Sequence, residues 1–428
     1  MHIPDGYLSP VFSIGMGVAT VPAWARAVRK VREVLTTRTV PLLAIFAAFN
    51  FTIMMFNVPV PGGTTAHGVG GTLVAIVLGP WAAVVTVSTA LVLQALFFGD
   101  GGILAIFANC FNMGVLLPFT GYWTYRLIAA GAPLLSVRRL WAAAIGSYVG
   151  ITLAGLAVGV ELGLQPILFN DGGRPLYSPY GLAAAVPTML LAHALGASIV
   201  EAIITALVLS YIRQHHPEYL TSLKAVVAGA GADMGPARQR PVWQLAVIGL
   251  VVGAPLLLVA GLVTGGGNVG SLFGADWSQV DWPGVGSMML VTAGVGIVAV
   301  PIVRFLLPER FKSVGTAYTV AAVLAPLGLI APGFAFGEGS PDDLMKELGF
   351  VPSGLQSLSG IFSAPLSGYN LPLPWFSDAN APLWHQGLGY EIVAVIGILL
   401  LGAVVLALGR LLRGREDAPG GVVGGTAA

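Results

Sequence analysis

Charge is what this sequence has least of. Only 9% of its 428 residues are Asp, Glu, Lys or Arg, against about 25% in a soluble domain. The formal net charge is +1, which excludes the broad basic footprint of a nucleic-acid binder. One cysteine, Cys110, lies in an apolar run. That excludes a disulfide framework and a thiolate metal cluster. No Gly-Lys dipeptide occurs, so there is no phosphate-cradling P-loop. No His-Glu-x-x-His occurs either, and the zinc metalloprotease reading fails. The apolar stretches also lack the dense carboxylates expected of a proton-coupled transporter. No enzyme is expected, and no visible way to drive transport alone.

What is there is hydrophobic. Apolar residues make up 56% of the chain and mean hydropathy is +0.85. Both point to an all-α polytopic membrane protein. The 58 glycines predict close helix contacts, because small residues let backbones approach in lipid.

Apolar stretches fall at roughly 11–25, 42–58, 68–79, 80–98, 103–126, 140–160, 183–212, 243–264, 287–307, 314–332 and 390–412. Residues 68–98 read either as one helix or as two split at Gly79-Pro80. Positive charge favours two. With the N-terminus outside and eleven crossings, every Lys and Arg of the 20 except Arg174 and Lys346 lies on the cytoplasmic side, as the positive-inside bias requires. The C-terminus is then cytoplasmic. His2, the 59–67 connection and the turn at Asp100 share the outer face.

The chain divides after the seventh stretch. Residues 1–212 form one membrane unit, 213–242 a cytoplasmic linker, 243–415 a second, four-helix unit, and 416–428 a Gly/Ala tail without order. His215-His216 in the linker reads as a solvated helix end, since adjacent helical residues diverge by about 100°. The second unit carries a long outer connection, 333–389. Within it, Pro341-Asp342-Asp343-Leu344-Met345-Lys346-Glu347 predicts a short helix with acids in its first turn. A hard-cation site on Asp342, Asp343 and Glu347 is the competing reading.

The chemistry concentrates at the start, Met1-His2-Ile3-Pro4-Asp5-Gly6-Tyr7-Leu8. It lacks the basic residue and apolar core of a secretory signal. A free amine followed by histidine is a chelator: the α-amine, the His2 amide nitrogen and imidazole Nδ1 close two fused rings on one cation. Three nitrogens in a plane plus one more suit Ni(II) or Cu(II). An ordinary surface histidine is the competing reading. His67 ends a connection whose Pro59, Pro61 and Gly62-Gly63 bar a continuous helix. A neutral imidazole there suits the fourth position, with a cap or packing role as the alternative. Thr64 and Thr65 are candidates to bond its second nitrogen. Asn109 and Asn112 share a polar seam and are candidate supports for the N-terminal segment. His193 and Glu201, within the seventh stretch, read as polar packing partners or a coupling surface, not as ligands.

At this point the residues resemble a known family. Met1 through Pro10, Pro61-Gly62-Gly63-Thr64-Thr65-Ala66-His67, Leu78-Gly79-Pro80-Trp81-Ala82-Ala83, Gln94 through Gly102 and Asn109 through Gly114 are similar, in order, to the CbiM/NikM proteins. These are substrate-capture components of energy-coupling factor transporters, of the ABC transporter class, for cobalt and nickel. Residues 243–415 resemble the NikN-like accessory component. Pro341-Asp342-Asp343-Leu344 is similar to its PDGLE motif, with Asp343 in place of glycine and Met345 in place of glutamate. The resemblance implies a cation held by the Met1 amine, the His2 backbone nitrogen and imidazole, and His67. It implies transported Ni2+ or Co2+ and no cofactor. It further implies a membrane coupling protein of CbiQ/NikQ type, two ATPase subunits of CbiO/NikO type, and a place in the inner or plasma membrane. A self-sufficient metal permease or channel is the reading from another class.

Overall fold

The structure is a computed structural model. It describes residues 1–33, 39–59, 65–220, 282–306, 325–330, 335–373 and 381–413, with isolated positions at 316, 319–320, 323 and 375–376. The expected crossing at 243–264, the linker beyond residue 220, about half of 314–332 and the tail lie outside the described residues.

Most of the described chain is helical. The first unit has α1 (Pro10–Arg32), α2 (Thr39–Met55), α3 (Gly71–Leu78), α4 (Pro80–Phe98), α5 (residues 106–129), α6 (Val137–Leu168) and α7 (Leu182–His215). The second has α8 (Trp282–Leu306), two short helices α9 (Pro341–Leu348) and α10 (Ser353–Leu358), and α11 (Leu383–Arg413). Among the described residues, six helices are long and apolar enough to cross a bilayer. This is a multi-pass membrane protein.

Residues 68–98 form two helices, and the reason is local. Gly79 takes φ +91° and ψ 154°, a region open essentially to glycine alone. Pro80 then opens α4, where its missing N–H costs nothing. The third stretch is not a full-length helix, however. The eight residues of α3 rise only about 12 Å, less than half of the ~30 Å hydrocarbon thickness. Before it, β1 (Asn57–Pro59) and β2 (Thr65–His67) pair as a hairpin, Asn57 opposite His67. Ala66, His67 and Val69 are buried. Irregular backbone is tolerated in a membrane protein where protein covers it. The periodicity of a short apolar run carries no sign of such a hairpin. A second hairpin joins Asn170–Asp171 to Arg174–Pro175.

Glycines set the packing of α6. A Cβ at Gly146 would lie 2.6 Å from the Gly121 carbonyl oxygen of α5, and one at Gly150 2.8 Å from that of Leu117. Further along, Cβ atoms at Gly155, Gly159 and Gly163 would meet His193, the Ala185 carbonyl and Leu182 of α7 at 2.4, 3.0 and 2.7 Å. So α6 is the staff against which α5 and α7 close, as small-residue packing in lipid allows.

The second unit packs on the first. Gly409, Gly397 and Tyr390 of α11 meet Val40, Phe51 and Met55 of α2, an antiparallel pairing. Residues 335–373 cover the N-terminal segment. The Tyr7 hydroxyl donates to the Gly339 carbonyl at 2.8 Å. Leu355 N–H donates to Leu176, and Leu366 N–H to Phe97. In α9 the acids do helix-end work: Ser340 and Asp343 form a capping box, and the Glu347 carboxylate accepts from the Tyr180 hydroxyl at 3.4 Å.

Candidate metal centre

The first eight residues run into the protein instead of along its surface. Met1, His2, Ile3, Tyr7 and Leu8 are each at most 5% exposed. Buried backbone must find partners, and here it does. Ile3 N–H donates to Asn109 Oδ1 at 2.8 Å, while Asn109 Nδ2 returns a bond to the Ile3 carbonyl at 3.0 Å. Gly102 N–H reaches the same carbonyl at 2.8 Å. The Asp5 carboxylate accepts from Leu104 N–H at 2.7 Å and Ile103 N–H at 3.2 Å. Ser9 caps α1 through Phe12 N–H, and its own N–H donates to Gln165. Gly101 makes the close approach possible. Its φ is +85°, and a Cβ there would lie 3.0 Å from Asn109 and 3.4 Å from the His2 ring.

This clamp brings His2 to His67. His2 Nδ1 and His67 Nε2 are 3.1 Å apart, and the ring centroids 4.8 Å. His67 Nδ1 is 2.9 Å from the Gly68 carbonyl oxygen, so its proton sits there and its lone pair on Nε2 faces His2. Burial, reinforced by the N-terminal charge, drops His2 to about 3 and holds His67 well below the ordinary imidazole range. Both rings are therefore neutral at pH 7, the state in which imidazole binds a metal.

Carboxylates close the site from two directions. Asp100 Oδ1 lies 3.2 Å from His2 Nδ1, and burial raises Asp100 to about 6 against the opposing Tyr369 hydrogen bond and N-terminal charge. The Met1 ammonium is 3.1 Å from Glu338 Oε1. Tyr369 donates to Asp100 Oδ2 at 2.5 Å, and Gln94 Nε2 donates to the same oxygen at 3.2 Å and to the Tyr369 hydroxyl at 2.9 Å. Glu338 and Tyr369 belong to the second unit. Among the described residues no three His, Cys, Asp or Glu side chains group to hold a metal. A cation here would draw on two imidazoles and on backbone nitrogens.

Met1, His2 and His67 thus meet, and Asn109 holds the segment that carries the first two. Asn112 is turned elsewhere: its Nδ2 donates to Glu161 at 2.8 Å. Thr65 lies opposite Pro59 in the hairpin; the neighbour of His67 Nδ1 is the Gly68 carbonyl. Thr64 lies outside the described residues. His193 Nδ1 is 2.7 Å from the Met189 carbonyl oxygen. The Glu201 carboxylate accepts from Val69 N–H at 2.7 Å and Gly70 N–H at 2.9 Å, anchoring the backbone just after His67. His215 stacks on Tyr211 at the far end of α7, with ring centroids 4.6 Å apart.

Sequence reasoning missed Gln94, Glu338, Tyr369 and the anchoring role of Glu201. Gln94 stood inside the Gln94–Gly102 motif, which was a usable signal. Glu338 lies 337 positions from Met1, and Tyr369 lies 269 from Asp100 and 275 from Gln94; no spacing in the sequence reveals such pairings.

The chain is similar to known proteins. The sequence model of the CbiM family, described as a cobalt uptake substrate-specific transmembrane region, matches residues 2–219. The fused nickel transport protein NikMN of Rhodobacter capsulatus is 36% identical over 94% of this chain and 95% of its own. The probable fused nickel transport protein LarMN of Lactiplantibacillus plantarum is 46% identical over 61% of this chain and 75% of its own. The crystal structure of a truncated transition metal transporter is 54% identical, covers 50% of this chain and 100% of its own, and superposes with a TM-score of 0.48. With half the chain matched by the family and a fused relative aligned nearly end to end, this chain belongs to the CbiM family in its fused NikMN form.

Proposed function

We propose that the chain captures a divalent transition-metal cation, Ni2+ ahead of Co2+, and delivers it across the membrane as the substrate-specific subunit of an ATP-driven importer. The ligands are the Met1 amine, the His2 amide nitrogen and Nδ1, and His67 Nε2. The observation that carries this reading is the 3.1 Å between His2 Nδ1 and His67 Nε2. Two adjacent nitrogens of a square plane with bonds of about 2.0 Å lie about 2.8 Å apart, so a cation needs little movement of either ring. The preference for Ni2+ follows from the deprotonated amide, which favours square-planar d⁸ coordination. The names of the relatives, nickel and cobalt transport proteins, support uptake of these cations.

ATP hydrolysis belongs to partners, in keeping with the missing Gly-Lys dipeptide. Those partners are a CbiQ/NikQ-type membrane coupling protein and two CbiO/NikO-type ATPase subunits. Uptake of Ni2+ in cells with and without them is the test. Loss of uptake without them supports the subunit reading, whereas strong uptake without them sinks it in favour of a self-sufficient permease. For the ligand set, His67→Ala should weaken Ni2+ binding by at least 100-fold and His215→Ala should leave it unchanged. The reverse would show that the wrong histidine is named.

A further inference from the structure

Two buried polar atoms beside the site have no hydrogen-bond partner: His2 Nε2 and the Gln94 side-chain oxygen. Buried polar groups rarely stay so. Asp100 ties the two residues together: its Oδ1 lies 3.2 Å from His2 Nδ1, and its Oδ2 accepts from Gln94 Nε2 at 3.2 Å. Gln94 is held firmly. It sits in the π-helical last turn of α4, and its Nε2 donates to both Tyr369 and Asp100. That leaves its oxygen as the free end of a fixed amide.

The ring proton explains the pair of unpartnered atoms. In the metal-free site His2 Nδ1 faces Asp100 Oδ1 and the His67 Nε2 lone pair. Both are acceptors, so the single proton of the neutral ring sits on Nδ1 and Nε2 is bare. A bare Nε2 and a carbonyl-type oxygen cannot bond each other. A cation at Nδ1 reverses this, because the neutral ring then carries its proton on Nε2. The ring holds one proton in both states.

We propose that Gln94 is the positioning residue of the His2 imidazole: with a cation on Nδ1, Nε2–H donates to the Gln94 side-chain oxygen. This rests on the reading of His2 as a ligand. Histidine ligands generally donate their second N–H to an oxygen that fixes the ring. Here the acceptor waits unpaired, so the loaded site gains a hydrogen bond that the empty one lacks. Tyr369 aims Gln94, which carries the influence of the second unit to the ligand.

The test uses the full chain with its native N-terminus and Ni2+ as the probe. Square-planar Ni(II) is diamagnetic, so the ring protons of 15N-histidine-labelled protein can be read by NMR. The expected result is a slowly exchanging, hydrogen-bonded proton on His2 Nε2. Gln94→Leu should keep the square-planar absorption band, lose that hydrogen-bonded signal, and bind Ni2+ about 10- to 100-fold more weakly. Tyr369→Phe, which only loosens the amide, should fall between. An unchanged ring-proton signal in Gln94→Leu overturns the proposal, even if affinity drops, because a purely structural role would do that. Should Gln94→Leu not fold, the unaltered protein decides: an Nε2 proton in free exchange with water overturns it. No Ni2+ binding by the unaltered protein overturns the capture reading and this one with it. Intact binding with the wrong ring proton overturns this one alone.

Discussion

The Met1 ammonium and the Glu338 carboxylate form an ion pair of 3.1 Å across 337 positions of chain. The amine is fully buried, and the carboxylate side chain is 25% exposed. The pair therefore lies between a surface salt bridge and a buried one. Glu338→Ala leaves the amine without its partner and should cost the metal-free protein about 1–3 kcal/mol. Glu338→Gln keeps one acceptor and should cost less. Thermal denaturation in detergent reads both, and identical midpoints for all three proteins would contradict the pairing.

Asn109 and Asn112 lie on the same helix but should behave differently. Asn109→Ala leaves the buried Ile3 N–H without its acceptor and removes one of the two donors to the Ile3 carbonyl, a loss of about 1–3 kcal/mol, and loosens the segment that carries Met1 and His2. Ni2+ affinity should fall at least 10-fold by calorimetry. Asn112→Ala disturbs Glu161 instead and should leave affinity within about threefold. Equal effects would mean that the clamp on Ile3 does not position the ligands.

Glu201 holds Val69 N–H and Gly70 N–H. Glu201→Ala leaves two buried donors open and should lower both the melting midpoint and Ni2+ affinity, since His67 stands two residues before Val69. Glu201→Gln retains one acceptor oxygen and should recover part of both. A Glu201→Ala protein with unchanged affinity would show that the His67 ring is placed by other contacts.

Cation binding should release about two protons at pH 7, from the Met1 ammonium and the His2 amide. Neither ring contributes, because His2 sits at about 3 and His67 well below its ordinary value. Binding should therefore strengthen as pH rises. Calorimetry in buffers of different ionisation enthalpy counts the protons; three or four would show charged rings. In the metal-free protein these depressed values carry stability that is present above about 6.5 and lost as pH falls toward 3. Asp100, raised to about 6, acts oppositely between about 4 and 6.

Much of this was legible in the sequence. Sparse charge and long apolar runs announced a multi-pass membrane protein, and Gly79-Pro80 announced a helix break. Met1, His2 and His67 stood out as candidates because their chemistry is local: a terminal amine one residue from an imidazole, and a histidine closing a proline-rich connection; the structure brings the two imidazoles together. The half-length α3 was not readable, because hydropathy cannot tell a short helix plus a buried hairpin from a short span. Glu338 and Tyr369 were not readable either. Their place at the site follows from the packing of α11 along α2 and of the 335–373 segment over Tyr7.

The claim at the centre is that the Met1 amine itself binds the cation. The direct test is metal content and coordination of the purified full chain beginning at Met1, beside a variant with one residue inserted between Met1 and His2 and another with one residue placed before Met1. The expected result is one Ni2+ per chain held by four nitrogens in a plane, with tight binding abolished in both variants. One tightly bound Ni2+ per chain in either variant, with unchanged affinity, would contradict it.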